Sequence, residues 1–219
     1  MFALNDTDKI TVQLSCISPI DGRYYNKTKE LREYFSEFGF FKYRLHIEIA
    51  YLCELLKIFL GKEKYELEGL NKITSIVTEF SLIECIKIKK IESEINHDVK
   101  AIEYYIRTKL DDLELGHYKS YIHFGLTSQD INNTALTLMI KNSISNEYIS
   151  CLNSIIKVLN TKITSWKDVV MISKTHGQPA TPTTFGKEMR VFTYRILKQI
   201  DMLENTKYYG KMGGATGNL

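Results

Sequence analysis

The chain has 219 residues, of which 44% are hydrophobic and 25% are charged. This composition is ordinary for a globular protein and excludes a disordered chain. The net charge of +3 is weak, and it does not resemble the basic stripe of a protein that binds nucleic acid. No apolar run approaches the roughly 18 residues of a membrane span, so we expect neither nucleic acid nor a membrane as a partner.

Cysteine and histidine spacing gives no indication of a metal site. The five histidines lack an H-E-x-x-H pattern, and no two cysteines form a C-x-x-C pair. Residues 1–11 include Asp6 and Asp8 and lack the apolar core of a signal peptide. We therefore expect a cytoplasmic protein with free thiols. Its four cysteines are Cys16, Cys53, Cys85 and Cys151.

Apolar residues recur at three or four positions through most of the first half of the chain, which predicts helices. The first stripe stops before Gly61, a residue suited to ending a helix. Ser81 and Glu84 then have the spacing of a capping box, and Asn96 is the expected N-cap of a further helix. The stripes comprise Leu45, Ile49, Leu52, Leu56 and Phe59, then Ile73, Ile76, Val77 and Phe80, then Val99, Ile102, Ile106 and Leu110.

A long segment from Leu126 to His176, about fifty residues, contains neither glycine nor proline. Its apolar residues keep helical spacing, which predicts one long helix of the kind found in elongated bundles. Two ordinary helices with a polar bend between Asn142 and Asn146 remain an alternative. A last stripe through Met189, Phe192, Ile196, Ile200 and Leu203 predicts another helix before the glycine-rich end of the chain.

The fold class expected from these patterns is all-α, because no alternating strand pattern of useful length follows the first twenty residues. The helical spacing of apolar residues lapses between Asp111 and Lys119, where charged residues and Gly116 occur. We therefore predict a small N-terminal helical domain over residues 1–115 and the first long helices of a central bundle over residues 116–219. Two or three long helices cannot bury their own apolar faces, so we expect the chain to be part of something larger.

Two short segments near the start pair polar side chains with tight geometry. In Ser18-Pro19-Ile20-Asp21-Gly22-Arg23-Tyr24, Arg23 offers a fork for phosphate or carboxylate beside an aromatic face. A turn with a solvated arginine is the alternative. In Asn96-His97-Asp98, a cap with an acidic first turn explains Asn96 and Asp98 without a ligand, but it does not explain His97.

Two later segments have the same character. Gly125 to Asn133 opens the long helix, and Thr127 with Asp130 fits a capping box there. One hydroxyl is enough for a cap, so the second hydroxyl, on Ser128, favours a carboxylate-binding role. In Thr175 to Thr184, one glycine and two prolines hold His176 in a stiff loop. A lone loop histidine is more often a surface residue than a catalytic one.

Taken in order, four motifs resemble the adenylosuccinate lyases of the fumarase/aspartase superfamily. They are Ser-Pro-Ile-Asp-Gly-Arg-Tyr, Asn-His-Asp-Val-Lys-Ala, Thr-Ser-Gln-Asp-Ile-Asn-Asn and Thr-His-Gly-Gln-Pro-Ala-Thr-Pro. The stretch Lys211 to Gly217 is similar to the glycine-rich stretch that follows them in the family. The histidine and Thr-Ser motifs occur across the superfamily, whereas the Arg-Tyr and Asn-His-Asp motifs point to the adenylosuccinate branch.

The resemblance implies elimination of fumarate from adenylosuccinate, giving AMP, and from the succinyl-carboxamide intermediate of purine synthesis. His176 is then the general acid, and the substrate-binding residues are Arg23, Tyr24, Asn96, His97, Asp98, Thr127 and Ser128. The resemblance implies no metal and no redox cofactor, and it implies a homotetramer with shared sites. The catalytic base in the family is a serine on a loop that has no counterpart before Leu219, so we expect residues 1–219 alone to be inactive.

Other functions compete with this interpretation. Argininosuccinate lyase and fumarase belong to the same superfamily and share the histidine and Thr-Ser motifs. A non-catalytic helical oligomerisation module descended from the enzyme is the alternative from another class. The Arg23-Tyr24 pair separates an adenylosuccinate lyase from argininosuccinate lyase and fumarase, because the pair is expected to matter only for a nucleotide substrate.

Overall fold

A computed structural model of the chain describes residues 6–218 and divides them into two compact units. The first unit extends to Met139 and resumes at Tyr209, and the second is Ile140–Tyr208. The predicted domain ranges, 1–115 and 116–219, stay a prediction. The expectation that residues 1–11 lack a signal-peptide core falls partly outside the described residues.

The first unit is built from helices. Among the described residues its α-helices are α1 (Asp6–Ser15), α2 (Arg32–Phe35), α3 (Glu37–Leu60), α4 (Lys62–Leu67), α5 (Ser75–Thr78), α6 (Leu82–Ile95), α7 (Asp98–Asp112) and the start of α8 (Ser128–Ser143). Shorter 3-10 turns occupy Lys29–Leu31, Leu70–Thr74 and Gly116–Tyr121. Helix α6 packs on α7, and both contact α3.

Helix α3 is the centre of the first unit's core. The Ser36 side chain accepts a hydrogen bond from the Gly39 N–H and caps its start, and Gly61, with φ of 81°, ends it as expected. The predicted apolar stripe of α3 faces α6, α7 and the intervening turns, except for Phe59, which is exposed. The core it forms with them includes Leu45, Ile49, Leu52, Leu56, Ile73, Ile88, Ile102, Ile106 and Leu110.

The junction of α6 and α7 corrects one prediction. Ser81 caps α6 through the Glu84 N–H, as the capping-box spacing predicted. The prediction that Asn96 is the N-cap of α7 is wrong, because Asn96 ends α6 in a left-handed conformation with φ of 54°. Asparagine tolerates that conformation better than most residues do. The N-cap of α7 is His97, whose ring nitrogen Nδ1 accepts a hydrogen bond from the Lys100 N–H at 3.1 Å.

The glycine-free segment is helical without interruption from Ser128 to Ser165. Helix α8 leads into a π-helical turn at Ile144–Tyr148, and α9 (Ile149–Ser165) follows. The long helix is confirmed over this range, and the polar stretch holds the π turn instead of a bend. The helix ends eleven residues before His176, so its expected extension towards that residue is wrong.

A two-stranded antiparallel hairpin follows α9, where no strand was predicted. Strand β1 (Val170–Thr175) pairs with β2 (Gln178–Thr184). The connecting residues His176 and Gly177 have φ of 50° and 75°, the positive values typical of a type I′ hairpin turn. Pro179 and Pro182 fit into β2 because both strands of such a sheet are edge strands.

The second unit packs α9 against α10 (Phe185–Glu204) beside the hairpin. The buried cluster consists of Ile149, Ile156 and Ile200, with Leu152, Ile196 and Leu203 half-buried around it. Of the predicted α10 stripe, Ile200 is buried and Phe192 is exposed. Within residues 6–218, no helix combines the length and apolar character needed to cross a membrane. The all-α fold class is confirmed, with the hairpin as its one departure among the described residues.

Candidate functional site

The start of α8 carries the Thr127–Ser128 turn and a buried carboxylate. Asp130 Oδ2 accepts the Thr127 N–H at 3.0 Å, which is the capping interaction expected from the sequence. Burial alone would raise the pKa of Asp130, but the N–H groups of Gly213 and Thr127 and the charge of Lys211 hold it below its ordinary value. Asp130 is therefore ionised at neutral pH and fixes the turn that carries the two hydroxyls.

The glycine-rich segment lies against this same turn within the first unit. The Gly213 N–H donates to Asp130 Oδ1 at 3.0 Å, and Lys211 Nζ lies 3.6 Å from that oxygen. Asn133 accepts the Lys211 N–H at 2.6 Å and donates to the Lys211 carbonyl at 2.8 Å. Two motifs that are about 80 residues apart in the sequence are thus brought together.

A buried arginine joins the Asn-His-Asp motif to the start of α8. Arg44 Nη2 lies 2.7 Å from Asp98 Oδ2, and Arg44 Nε donates to Asn132 Oδ1 at 2.8 Å. Its guanidinium is 3.6 Å from the centre of the Phe40 ring. Burial lowers the pKa of Arg44 and the Asp98 carboxylate opposes that shift. Arg44 thereby fixes Oδ2 of Asp98. The other oxygen, Oδ1, lies 3.8 Å from His97 Nδ1, and the carboxylate is half-exposed.

A second buried ion pair lies just ahead of the Thr127–Ser128 turn. His123 Nδ1 is 2.5 Å from Glu48 Oε1, and the Glu48 side chain is fully buried. Burial alone would lower the pKa of His123, but the Glu48 carboxylate outweighs it and raises that pKa. Burial raises the pKa of Glu48, and His123 opposes the shift. Glu48 Oε2 has no hydrogen-bond partner among the described residues.

His97 has a structural role that the sequence did not reveal. Because its Nδ1 accepts the Lys100 N–H, that nitrogen is unprotonated and the ring's other nitrogen, Nε2, is left to act as a donor. The ring is half-exposed, so the cap leaves one edge of the imidazole accessible. Capping and ligand binding are thus compatible for this residue.

Arg23 and Tyr24 lie on a turn that begins at Ser18. The Tyr24 N–H donates to the Pro19 carbonyl at 2.9 Å, and the Arg23 guanidinium is 5.6 Å from the Tyr24 ring centre. Both side chains are exposed. A cavity of about 370 Å³ lined by Ser18, Asp21 and Arg32, among others, lies along the same turn. The pair is available to a ligand, as expected for a polar group and an aromatic face.

His176 is the first residue of the hairpin turn in the second unit, and its ring is exposed. Gly177 follows with φ of 75°, where a side chain would be strained. The stiff loop predicted around His176 is therefore a hairpin turn whose geometry is set by two positive φ values. The other candidate residues belong to the first unit.

Several polar residues of this region were missed by sequence reasoning. Arg44 and Glu48 are buried beside Leu45 and Ile49 of the α3 stripe. A search for apolar periodicity passes over them because both are charged. His123 precedes Thr127 by four residues, and this short spacing was the available signal. Asp130 was recognised only as a cap, and Asn133 only as part of a motif. Among residues 6–218, no group of three or more His, Cys, Asp or Glu side chains is placed to hold a metal ion.

The arrangement can bind an anionic ligand and exchange a proton with it. The hydroxyls of Thr127 and Ser128 at the N-terminus of α8 suit a carboxylate. The half-exposed imidazole of His97 and carboxylate of Asp98 lie at the start of α7. Asp130, Arg44 and Asn133 hold these elements within one unit. The site thus combines groups suited to an anion with an accessible imidazole.

Comparison with protein families gives a match to a lyase family model over residues 22–219. Adenylosuccinate lyase from Dictyostelium discoideum is 45% identical over 216 residues, covering 94% of this chain and 46% of that protein. Adenylosuccinate lyase from Escherichia coli K12 is 38% identical, with the same coverage. The chain therefore spans about half the length of the curated relatives it matches.

Two solved structures have a similar fold. Fumarate lyase from Mesorhizobium sp. BNC1 superposes with a TM-score of 0.65 at 23% identity, covering 87% of this chain and 43% of that one. The β-carboxy-cis,cis-muconate cycloisomerase from Acinetobacter calcoaceticus gives a TM-score of 0.62 at 18% identity, with coverage of 87% and 44%. At these identities the similarity establishes the fold and leaves the reaction to be argued from residues.

Proposed function

The chain belongs to the lyase family, and we propose that the protein carrying it is an adenylosuccinate lyase. Its reaction is elimination of fumarate from adenylosuccinate, giving AMP, and from the succinyl-carboxamide ribotide of purine synthesis. The observation that carries the proposal is the Arg44 bridge between Asp98 and Asn132. It joins the motif typical of the adenylosuccinate branch to the Thr-Ser motif, in a chain 45% identical to an enzyme of that name.

In the proposed reaction a base removes a proton from the succinyl carbon next to a carboxylate. The electron pair left behind forms the double bond of fumarate as the carbon–nitrogen bond breaks, and His176 donates a proton to the departing nitrogen. Imidazole suits this role because it holds a proton near neutral pH. The base is expected to be a serine, as the resemblance to the family implies.

The binding roles follow the same proposal. Arg23 and Tyr24 hold the nucleotide, and their mutual contact presents a cation beside a stacking face. Thr127 and Ser128 bind a carboxylate of the succinyl group with the help of the α8 N-terminus. Asn96, His97 and Asp98 contact the substrate. The protein is proposed to act in the cytoplasm as a homotetramer whose sites are shared between subunits, without metal or redox cofactor.

The test replaces His176 by Ala in the natural-length protein and measures fumarate release from adenylosuccinate. We expect turnover to fall by about 10² to 10⁴, the contribution typical of a general acid. His117→Ala is the matched control, because His117 is an exposed histidine of the first unit and should leave turnover unchanged. Unchanged turnover in His176→Ala would refute the acid role of His176, whereas a wild type that releases no fumarate would favour the non-catalytic oligomerisation module.

A substrate panel separates the proposal from other lyases of the superfamily. The wild-type protein is offered adenylosuccinate, argininosuccinate and malate, and release of fumarate is compared. Only adenylosuccinate should be consumed, and Arg23→Ala should raise its KM. Turnover of argininosuccinate or malate at a higher kcat/KM would overturn the substrate assignment while leaving the lyase family intact.

A further inference from the structure

The contacts between the start of α8 and the glycine-rich segment exceed what a helix cap requires. One oxygen of Asp130, Oδ2, completes the cap by accepting the Thr127 N–H. The other, Oδ1, accepts the Gly213 N–H at 3.0 Å and faces Lys211 Nζ at 3.6 Å. Asp130 is 4% exposed, so one buried carboxylate holds both the Thr127 turn and the glycine-rich segment.

One helical turn later, Asn133 holds the same segment by its backbone. Its amide accepts the Lys211 N–H at 2.6 Å and donates to the Lys211 carbonyl at 2.8 Å. This pair of hydrogen bonds imitates the exchange between two paired strands. Asp130 and Asn133 are three residues apart and therefore lie on one face of α8, and Thr137 extends that face by donating to the Tyr209 carbonyl at 3.2 Å.

The segment that they hold is packed at Gly213 and bonded within itself. Gly213 is buried, and a Cβ at that position would come within 2.9 Å of the Lys211 side chain. The Lys211 ammonium donates to the Gly214 carbonyl at 2.7 Å, which closes the segment on itself. Because Asp130 binds Gly213 through one oxygen and Thr127 through the other, a displacement of the segment is transmitted to the Thr127–Ser128 turn.

We propose that Asp130 and Asn133 are positioning residues, which bind the glycine-rich segment to α8 and thereby fix the Thr127–Ser128 turn for a substrate carboxylate. The inference rests on the proposed function, which assigns that turn to the succinyl group. Neither side chain has to touch the substrate, since both act through the turn and the segment. A turn that binds its carboxylate equally in the ground state and the transition state affects KM more than kcat.

The test uses Asn133→Ala in the natural-length protein. Alanine has the higher helix propensity, so the melting temperature should stay close to that of the wild type. We expect the KM for adenylosuccinate to rise about tenfold with kcat little changed, and the amides of residues 211–217 to exchange hydrogen faster. Asn153→Ala, an exposed asparagine of α9, is the matched control and should change none of these quantities.

Two further variants extend the test. Asn133→Asp keeps the acceptor for the Lys211 N–H and loses the donor to its carbonyl, so its KM should lie between those of wild type and Asn133→Ala. Asp130→Asn should raise KM more than Asn133→Ala does, because it removes the charge that Lys211 faces. If Asp130→Asn does not fold, Asn133→Ala still tests the positioning role.

The outcomes separate this inference from the proposed function. A wild-type protein that releases no fumarate from adenylosuccinate contradicts the proposed function itself, and the positioning role falls with it. An active wild type whose Asn133→Ala variant keeps its KM within about twofold, with normal exchange at residues 211–217, overturns only the positioning role. A fall in kcat at unchanged KM would also overturn it, since the turn would then act in the transition state alone.

Discussion

The two units of the chain differ in how their helices are held. In the first unit, α3, α6 and α7 share one core in which Leu45, Leu56 and Ile102 are completely buried. In the second, α9 and α10 meet along a narrow seam of three buried isoleucines, each with 6 to 9% of its surface exposed. The α10 residues Val191, Phe192, Tyr194, Leu197 and Met202 remain exposed.

The difference extends to the polar residues of the candidate site. Those of the first unit are fixed by buried charged groups, such as Arg44 on Asp98 and Asp130 on Gly213. His176 instead belongs to an exposed two-residue turn, and its position is set by backbone conformation. A dense core allows side chains between helices to be held in one arrangement, so the candidate site residues of the first unit are fixed where the packing is best.

Truncating one core residue in each unit gives the largest expected effect. Leu45→Ala should destabilise the first unit of residues 1–219 by about 3 kcal/mol, because it leaves a cavity in a fully packed core. Ile156→Ala should destabilise the second unit less, by about 2 kcal/mol, since its sparse surroundings can close the gap. Hydrogen exchange in α3 and α9 measures both losses. Equal losses would show that the two cores are equivalently packed.

Sequence reasoning succeeded where local signals determine the structure. The stripe ending at Gly61 and the Ser81 cap both have spacings that depend only on neighbouring residues, and both were confirmed. The helical class followed from apolar periodicity, and the lyase resemblance followed from four short motifs. Asn96 and His97 show the limit, because either residue can cap a helix and only the left-handed turn at Asn96 decides between them.

The hairpin around His176 was missed for a physical reason. Its strands are exposed, so they lack the apolar alternation that marks a half-buried strand, and prolines in β2 argue against strand in any larger sheet. The turn is His-Gly, outside the Asn-Gly and Asp-Gly pairs that signal a type I′ turn most strongly. The β-branched residues Val169, Val170, Ile172, Thr181 and Thr183 were the remaining indication.

The contacts that assemble the candidate site were beyond reach of sequence alone. Arg44 meets Asn132 across 88 residues, and Glu48 meets His123 across 75. Such pairs depend on how α3 packs against its neighbours, which periodicity does not specify. The residues expected to touch a ligand were identifiable from motifs, whereas the buried residues that hold them in place were not.

A smaller effect compares one helix cap from each unit. Ser36→Ala removes the acceptor for the Gly39 N–H, which lies at 3.0 Å, and should cost about 1 kcal/mol. Thr184→Ala removes the acceptor for the Lys187 N–H at 3.4 Å, and the longer bond should make the loss about 0.5 kcal/mol. Exchange of the first-turn amides of α3 and α10 measures both. A larger loss at Thr184 would show that the stability of the second unit depends more on its helix caps than on the buried contact between α9 and α10.

The smallest effect concerns the pH dependence of the Glu48–His123 pair in the first unit. Its net contribution is small because burial opposes the ion pair. The pKa of His123 is raised in the folded state, so the stabilisation is complete below the unfolded value of about 6.5 and is lost as pH rises through the folded pKa. The raised pKa of Glu48 acts in the same direction over its own range, above its ordinary value of 4.5.

Hydrogen exchange of residues 121–126, corrected for its intrinsic pH dependence, tests this linkage between about pH 6 and pH 8. Protection should fall as the pH rises in the wild type, and it should fall less steeply in His123→Gln, which lacks the imidazole that takes up the proton. His117→Gln removes an exposed histidine from the same unit and should follow the wild type. Protection that rises with pH would contradict the raised pKa of His123, and the turn before Thr127 would then owe its order to backbone contacts instead of the buried pair.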